Sequence, residues 1–174
     1  MVNYYKDCNI TLIMLIGILS DTHDHIDNAK KAIKLLVDNG TEQIIHCGDF
    51  CAPFMIDLFS EYDIIFHCVF GNIDDRYLTT KKAEEKKTIL LYGDMARIEI
   101  DNKKIFVNHF PEIAMIAAKS NEFDAVFYGH THIAKEEKIG NTLMLNPGEV
   151  MNRFGKPSVA IYDTKTNSAK HILL

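Results

Sequence analysis

The sequence predicts one α/β domain that contains two β-sheets. Its 174 residues are an ordinary length for one domain, and 47% of them are apolar, which is enough for a hydrophobic core. The first half of the chain alternates strand-like and helical patterns, whereas the second half consists mainly of short alternating runs between turn residues. No linker, internal repeat or low-complexity segment interrupts the sequence. These observations together indicate one compact domain with two sheets.

Apolar patterning predicts the elements of the first half in order. The continuous apolar run at 14–20 predicts a strand buried on both faces, and helical spacing predicts a helix over 26–39 that stops at Gly40. Strands are then predicted over 43–47 and 63–70, a short helix over 52–60 and a solvated helix surface over 75–87. This half therefore alternates strand and helix.

In the second half, Asp101 and Asn102 form a hairpin turn signal between predicted strands. The predicted elements are strands over 95–100 and 103–107, a helix over 113–119, a buried strand over 124–128, and hairpin strands over 134–139, 142–145, 158–163 and 169–173. The domain is predicted to span residues 14–174.

Residues 1–13 are interpreted as an N-terminal extension, which is either native or the product of an upstream start codon. The apolar run that follows is far shorter than the roughly 20 residues of a membrane span, and its flanks do not resemble those of a signal peptide. The four cysteines form no C-x-x-C pair, and a chain of this length does not depend on disulfides. A cytoplasmic location is expected.

The net charge of −5 restricts the partners of this chain. It carries no basic stripe of the kind that duplex nucleic acid requires, so neither a nucleic-acid partner nor a membrane partner is expected. An anionic substrate would need bound cations to attract it locally. The oligomeric state stays open between a monomer and a homodimer.

The chemistry is indicated by where the polar residues fall. Five apolar runs each end in residues that can ligate a metal, and in open α/β sheets ligands bind beyond the carboxyl ends of the strands. The residues at these ends are Asp21 and His23, Asp49, Asn72, His109, and His130 with His132. Their ordered placement predicts that they converge on one crevice.

The types of these residues suit divalent metal ions. Asp21 and His23 are two positions apart, so on an extended chain they would point the same way and hold one ion. His130 and His132 have the same spacing, but they would serve two adjacent ions if the chain turns there. The two carboxylate oxygens of Asp49 can bridge a pair of cations. Nitrogen and oxygen ligands without thiolate favour Mn²⁺, Fe, Co²⁺, Ni²⁺ or Zn²⁺ over Ca²⁺.

The segments DTH, GD, GN, H and GHTH, in this order, resemble the calcineurin-like metallophosphoesterase superfamily, and in particular its compact prokaryotic-type phosphodiesterase branch. The resemblance runs from about Met14 to the C-terminus and includes the HCGD and NPGE segments. It implies a four-layer α/β/β/α sandwich with two facing mixed sheets. It also implies a cytoplasmic, metal-dependent phosphodiesterase that hydrolyses small phosphodiesters with a hydroxide held by two divalent ions.

The resemblance further implies how the ligands are divided between the two ions. Asp21, His23 and His132 would hold the first ion, and Asp49 would bridge both. Asn72, His109 and His130 would hold the second ion. Mn²⁺ or Ni²⁺ is the expected metal, with Fe, Co²⁺ and Zn²⁺ as alternatives.

The sequence departs from the family directly after Asn72, where many members have a histidine that contacts phosphate and protonates the leaving group. Ile73 can do neither, which favours a phosphodiesterase over a phosphomonoesterase. Asn72, Asp74 and Arg76 are the candidate catalytic residues: Asp74 would orient a neighbour, and Arg76 would be a substitute phosphate contact or a solvated arginine. Phe110 would line the substrate mouth or belong to the core.

Two other functions remain as alternatives. A metal-binding scaffold with little or no catalysis would fit the loss of the histidine at Ile73, although all seven ligand positions hold competent residues. A phosphomonoesterase is the second alternative.

Overall fold

The structure is a computed structural model that describes residues 14–174, and the predicted extension over residues 1–13 lies outside the described residues. The helices are α1 (Ile26–Asp38), α2 (Phe54–Ser60), α3 (Arg76–Glu84) and α4 (Pro111–Lys119). The strands are β1 (Leu15–Leu19), β2 (Gln43–His46), β3 (Ile65–Cys68), β4 (Ile89–Leu91), β5 (Met95–Ile100), β6 (Lys103–Asn108), β7 (Ala125–Phe127), β8 (Lys135–Ile139), β9 (Thr142–Asn146), β10 (Ser158–Asp163) and β11 (Ser168–Leu173). Within this described part, no helix has the length and apolarity to cross a membrane.

The strands form two mixed sheets. The first sheet has the order β11-β10-β1-β2-β3-β4. Strands β1 to β4 are parallel to one another, and β10 pairs antiparallel with both β1 and β11. The second sheet has the order β5-β6-β7-β9-β8, with a parallel centre and an antiparallel strand at each edge. The two predicted C-terminal hairpins are present, but they join different sheets: β8 and β9 lie in the second, and β10 and β11 extend the first beside β1.

Three hydrophobic clusters define the layers. Leu36 of α1 and Phe66 of β3 belong to a cluster between the helices and the outer face of the first sheet. Phe106 of β6 packs with Ala114 of α4 on the outer face of the second sheet, whereas the next residue, Val107, faces the first sheet. This alternation follows from the period of two along a strand. The structure therefore confirms the predicted four-layer α/β/β/α sandwich with two facing mixed sheets.

Local sequence signals account for several of these boundaries. Asp75 caps α3 because its carboxylate accepts a hydrogen bond from the backbone N–H of Leu78, and Pro111 occupies the first turn of α4. Asp101 and Asn102 have φ values of 50° and 59°, which suit the tight turn between β5 and β6.

Strand β4 was not predicted. It has three residues at the edge of the first sheet, and Leu90 in its middle is exposed. So short a segment shows no periodicity, and it becomes a strand only because β3 supplies the pairing partner.

A polar network around the buried His67 lies between β2, β3 and the segment after β4. The imidazole of His67 lies 2.8 Å from the hydroxyl of Tyr92 and 2.7 Å from the Oε1 of Gln43. Burial disfavours the charged imidazolium and lowers the pKa of His67 from 6.5 to about 4. His67 is therefore a hydrogen-bonded core residue.

This lowered pKa predicts acid sensitivity. The unfolded chain binds a proton on His67 near pH 6.5, but the folded protein does so only near pH 4. The His67 contribution to stability is thus complete above pH 6.5 and decreases by about 1.4 kcal/mol per pH unit as the pH falls from 6.5 towards 4. Urea unfolding over this pH range measures the free energy of unfolding. Its slope against pH should be smaller in the His67→Gln variant than in the wild type by that amount. An unchanged slope would show that His67 does not bind the extra proton on unfolding.

Candidate metal centre

Loops that follow five strands meet at one end of the sandwich. Backbone hydrogen bonds run from Asp21 N to Gly48 O and from His23 N to Asp49 O, both 3.0 Å long, so the loops after β1 and β2 are joined. The second sheet contacts this pair through His109, whose Nδ1 lies 2.8 Å from the carbonyl oxygen of Cys47. All seven predicted ligands lie on these loops, and the structure brings them together.

The first group of side chains contains Asp21, His23 and His132. The Oδ1 of Asp21 lies 3.8 Å from the Nε2 of His23 and 3.4 Å from the Nε2 of His132. One ligand atom from each of the three residues lies within 4.8 Å of the other two, which is the spacing of a shared metal ion. This is the group that the resemblance implied for the first ion.

The second group contains Asn72, His109 and His130. The Oδ1 of Asn72 lies 3.2 Å from the Nε2 of His109 and 2.9 Å from the Nδ1 of His130. Asp49 lies between the groups, because its Oδ2 is 3.3 Å from the Nε2 of His109 and 3.6 Å from the Nε2 of His23. A carboxylate in this position can contact ions on both sides.

The donor atoms fit metal ions because several of them have no other partner. In the described residues, the Oδ1 of Asp21 and the Nε2 of His23 are buried and make no hydrogen bond. The Nδ1 of His109 donates to a carbonyl, so in the neutral ring its Nε2 carries a lone pair towards the oxygens of Asp49 and Asn72. Lone pairs facing one another in a buried site call for a proton or a cation between them.

Electrostatics within the site agree with this description. Burial alone would raise the pKa of Asp49. The hydrogen bond and the charge of His109 lower this pKa, and the Ile73 N–H and the charge of His23 lower it further. The net effect is a pKa of Asp49 below its ordinary value. Burial alone would lower the pKa of His109. The hydrogen bond to Asp49 opposes this effect, as do the charges of Asp21 and Asp49 and the bond to the Cys47 carbonyl. The net effect is a pKa of His109 above its ordinary value. The site thus favours a negative carboxylate with positive charge beside it.

The backbone at the site differs from the extended chain that the two-residue spacing suggested. Five of the seven predicted ligands have left-handed φ values, namely Asp21 at 54°, His23 at 42°, Asp49 at 59°, His130 at 68° and His132 at 63°. Asp21 and His23 therefore converge through a tight turn and not through an extended strand. The turn at the second pair sends His130 to the Asn72 side and His132 to the Asp21 side, which favours the alternative of two adjacent ions.

Gly71 is required by a close approach between two loops. A Cβ atom at this position would lie 2.0 Å from the Oδ1 of Asp49 and 2.5 Å from its backbone N. The φ of Gly71 does not lie in the left-handed region, so a tight turn does not account for the glycine. Its function is to let the loop after β3 touch the loop after β2.

The Gly71→Ala variant should be destabilised by about 2 kcal/mol, because the added methyl group must displace the Asp49 loop. Urea unfolding measures this change. Gly155→Ala is the matched control, since a Cβ at Gly155 would meet nothing within 4 Å, and its change should stay within about 0.5 kcal/mol. Equal stability of the two variants would contradict the close approach.

The model of the calcineurin-like phosphoesterase superfamily domain matches residues 14–167. The chain belongs to this superfamily. This membership makes it a phosphoesterase and accounts for a donor set that suits divalent metal ions.

Individual relatives agree with the family. A Methanocaldococcus jannaschii protein named as a phosphodiesterase is 36% identical over 165 residues, which cover 92% of this chain and 99% of the relative. A solved structure of an archaeal phosphodiesterase superposes with a TM-score of 0.85 at 36% identity, over 92% of this chain and 100% of that chain. A phosphoesterase from E. coli has a TM-score of 0.66 at 17% identity, over 92% and 99% of the two chains, and shows the shared fold.

In this phosphoesterase, Asp74 is placed to hold the ligand loops. Its Oδ2 accepts hydrogen bonds from the N–H groups of Gly71 and Asp49, and its Oδ1 accepts one from Cys51 N, over 2.6 to 3.1 Å. The guanidinium of Arg76 instead pairs with Asp94 at 2.5 Å and lies over the Phe70 ring. The structure thus gives Arg76 a local partner, and its role as a phosphate contact stays a prediction.

Glu149 is a positioning residue that the sequence analysis missed. Its carboxylate is fully buried, and its Oε2 accepts a hydrogen bond of 2.7 Å from the Nδ1 of His132. This bond leaves the Nε2 of His132 free to face Asp21. From the sequence, the NPGE segment was only one part of the resemblance to the superfamily. An acidic residue directly before the apolar Val150 is the signal that could have indicated more.

Two further side chains hold these loops from behind. Asn146, also in the NPGE segment, donates through its Nδ2 to the carbonyl of Gly129 and to the hydroxyl of Thr131. His46 accepts a hydrogen bond from Gly48 N at its Nδ1, so its Nε2–H faces the hydroxyl of Thr22 at 3.1 Å. Burial, with the nearby His109 charge, lowers the pKa of His46 to about 3 and keeps the ring neutral.

Proposed function

We propose that this protein is a metal-dependent phosphodiesterase that binds two divalent ions. The observation that carries the proposal is the convergence of two ligand groups with one carboxylate, Asp49, between them. The first ion would be held by Asp21, His23 and His132, and the second by Asn72, His109 and His130. The archaeal relatives at 36% identity are named as phosphodiesterases, which supports the same activity.

Two bound ions would supply Lewis acidity and lower the pKa of a water molecule in the site. The chain contributes the orientation of the ligands. The Cys47 carbonyl fixes one ring nitrogen of His109 and the Glu149 carboxylate fixes one of His132, so that both Nε2 atoms face the centre.

The residue after Asn72 determines which substrates suit the site. Ile73 is 48% exposed there, and its side chain has no proton to give to a leaving group. Ile73 therefore cannot protonate a leaving oxygen, and the site suits esters whose leaving group is stable as an anion. Among phosphodiesters, this property favours those with activated ester groups.

We further propose Mn²⁺ or Ni²⁺ as the metal and the cytoplasm as the location. The mixed nitrogen and oxygen donors suit divalent transition-metal ions, and the resemblance to the superfamily favours Mn²⁺ or Ni²⁺ among them. Cys47, Cys51 and Cys68 carry free thiols, which agrees with a reducing compartment. The substrate is a small-molecule phosphodiester.

Metal reconstitution tests this function. Metal-stripped protein is incubated with Mn²⁺, Ni²⁺, Co²⁺, Zn²⁺ or Mg²⁺, and the turnover of bis(4-nitrophenyl) phosphate is compared with that of 4-nitrophenyl phosphate. We expect Mn²⁺ or Ni²⁺ to restore diester turnover that exceeds monoester turnover. Metal binding without turnover would support the scaffold alternative, and faster monoester turnover would support the phosphomonoesterase.

A further inference from the structure

The segment after Glu149 is an exposed loop with a fixed backbone. The Oε1 of Glu149 accepts hydrogen bonds from the N–H groups of Arg153, Phe154 and Gly155 at 2.7, 2.6 and 2.8 Å. The other oxygen of the same buried carboxylate holds His132. One side chain therefore ties the loop directly to a predicted metal ligand.

Phe154 presents its ring at the mouth of the site. The ring is 68% exposed, and its centroid lies 5.0 Å from that of His132 in an edge-on arrangement. The guanidinium of Arg153 lies 5.0 Å from the Phe154 centroid. An aromatic ring adds most to binding free energy when a partner covers its surface. A large exposed ring on a tethered loop is therefore available to a ligand.

A second aromatic ring lies on the other side of the centre. Phe110 is half-buried, and its centroid is 5.2 Å from that of His109 and 5.1 Å from that of His130. Phe154 borders the group around Asp21 and Phe110 borders the group around Asn72. The two predicted metal positions are thus flanked by one aromatic ring each.

We propose that Phe154, with Arg153 stacked on it, is a specificity-determining wall that receives one planar ester group of a phosphodiester substrate. The inference rests on the proposed function, because it places the phosphate at the metal centre between the two rings. A diester has an organic group on each side of its phosphate, which matches a ring on each side of the centre. The substrate class would be phosphodiesters with aryl or other flat ester groups.

The composition of the chain allows a direct test, because it contains no tryptophan. The Phe154→Trp variant places a single fluorescent indole at the proposed wall. Ile116→Trp is the matched control, since Ile116 is 72% exposed on α4. Each variant, loaded with Mn²⁺, is mixed rapidly with bis(4-nitrophenyl) phosphate, whose nitroaryl groups quench indole fluorescence on contact. Quenching before turnover and release of nitrophenolate are recorded in the same mixture.

We expect saturable quenching in Phe154→Trp at concentrations near the KM, and in Ile116→Trp only the weak quenching that free nitroaryl causes. Turnover without saturable quenching would overturn the wall and leave the phosphodiesterase intact. Saturable quenching in Phe154→Trp, with no turnover by either variant, would support the wall and overturn the catalytic function. If neither signal appears with any metal, both proposals fail.

A truncation separates substrate contact from support of His132. In Phe154→Ala, kcat/KM for bis(4-nitrophenyl) phosphate should fall about fivefold through a higher KM, with metal content unchanged. Phe154→Tyr, which keeps the ring, should restore the wild-type KM. An unchanged KM in Phe154→Ala, or a fall in kcat with loss of metal, would contradict the inference.

Discussion

We expect the Asp49→Asn variant to lose diester turnover by on the order of a thousandfold, because it removes negative charge from between the two ligand groups. The Oδ2 of Asp49 faces both His23 and His109, and an amide group there would be a weaker bridge or would direct an N–H at one of the ions. The Oδ1 can keep its hydrogen bond from the Ile73 N–H, so the fold should be retained. Initial rates at saturating Mn²⁺ measure the loss.

Asp38→Asn provides a control for the same chemical change at the surface. Asp38 pairs with Lys34 on α1 and is exposed, so its replacement should leave the rate unchanged. Metal content of both proteins is determined in parallel. A catalytically competent Asp49→Asn variant with the wild-type metal content would show that Asp49 does not bridge the ions.

Replacing Glu149 with glutamine should weaken metal binding by about ten- to a hundredfold and reduce turnover accordingly. The wild-type carboxylate accepts four hydrogen bonds, one from His132 and three from the backbone of 153–155. A glutamine has only one oxygen, so its amide N–H must face either the His132 Nδ1 or the loop. In the first case it would donate to Nδ1 and shift the ring proton to Nε2, which removes the metal-binding lone pair of His132.

Titration of the stripped protein with Mn²⁺ measures this effect, and thermal unfolding monitors the fold. Glu136→Gln on β8 is the control, because Glu136 is exposed. Wild-type Mn²⁺ affinity in a folded Glu149→Gln variant would show that the bond to His132 does not determine its binding. A lower affinity that excess Mn²⁺ overcomes, with turnover restored, would confirm a positioning role.

The succession of most strands and helices along the chain, and the convergence of the predicted ligands, could be predicted because both depend on local patterns. Apolar runs marked the strands, and Asp49, Asn72 and His109 follow three of them directly. Edge strand β4 could not be predicted, since its three residues become a strand only through pairing with β3.

The missed features of the site have a shared cause. The left-handed backbone at His23 and His132 cannot be inferred from residues that usually avoid it, because the surrounding loops impose it. Glu149 lies 17 positions from His132, and nothing local reveals that its carboxylate becomes the partner of that ring. The sequence thus indicated which residues meet, whereas the means of holding them depends on contacts between distant segments.

The predicted ligands are divided between the sheets. Asp21, His23, Asp49 and Asn72 follow strands of the first sheet, and His109, His130 and His132 follow strands of the second. The core between the sheets, where Phe127 packs edge-on against Tyr162 at 5.2 Å, therefore sets the distance across the site. Catalysis in this protein should respond to remote substitutions that alter the spacing of the sheets. Turnover should therefore report on how the two sheets pack against each other.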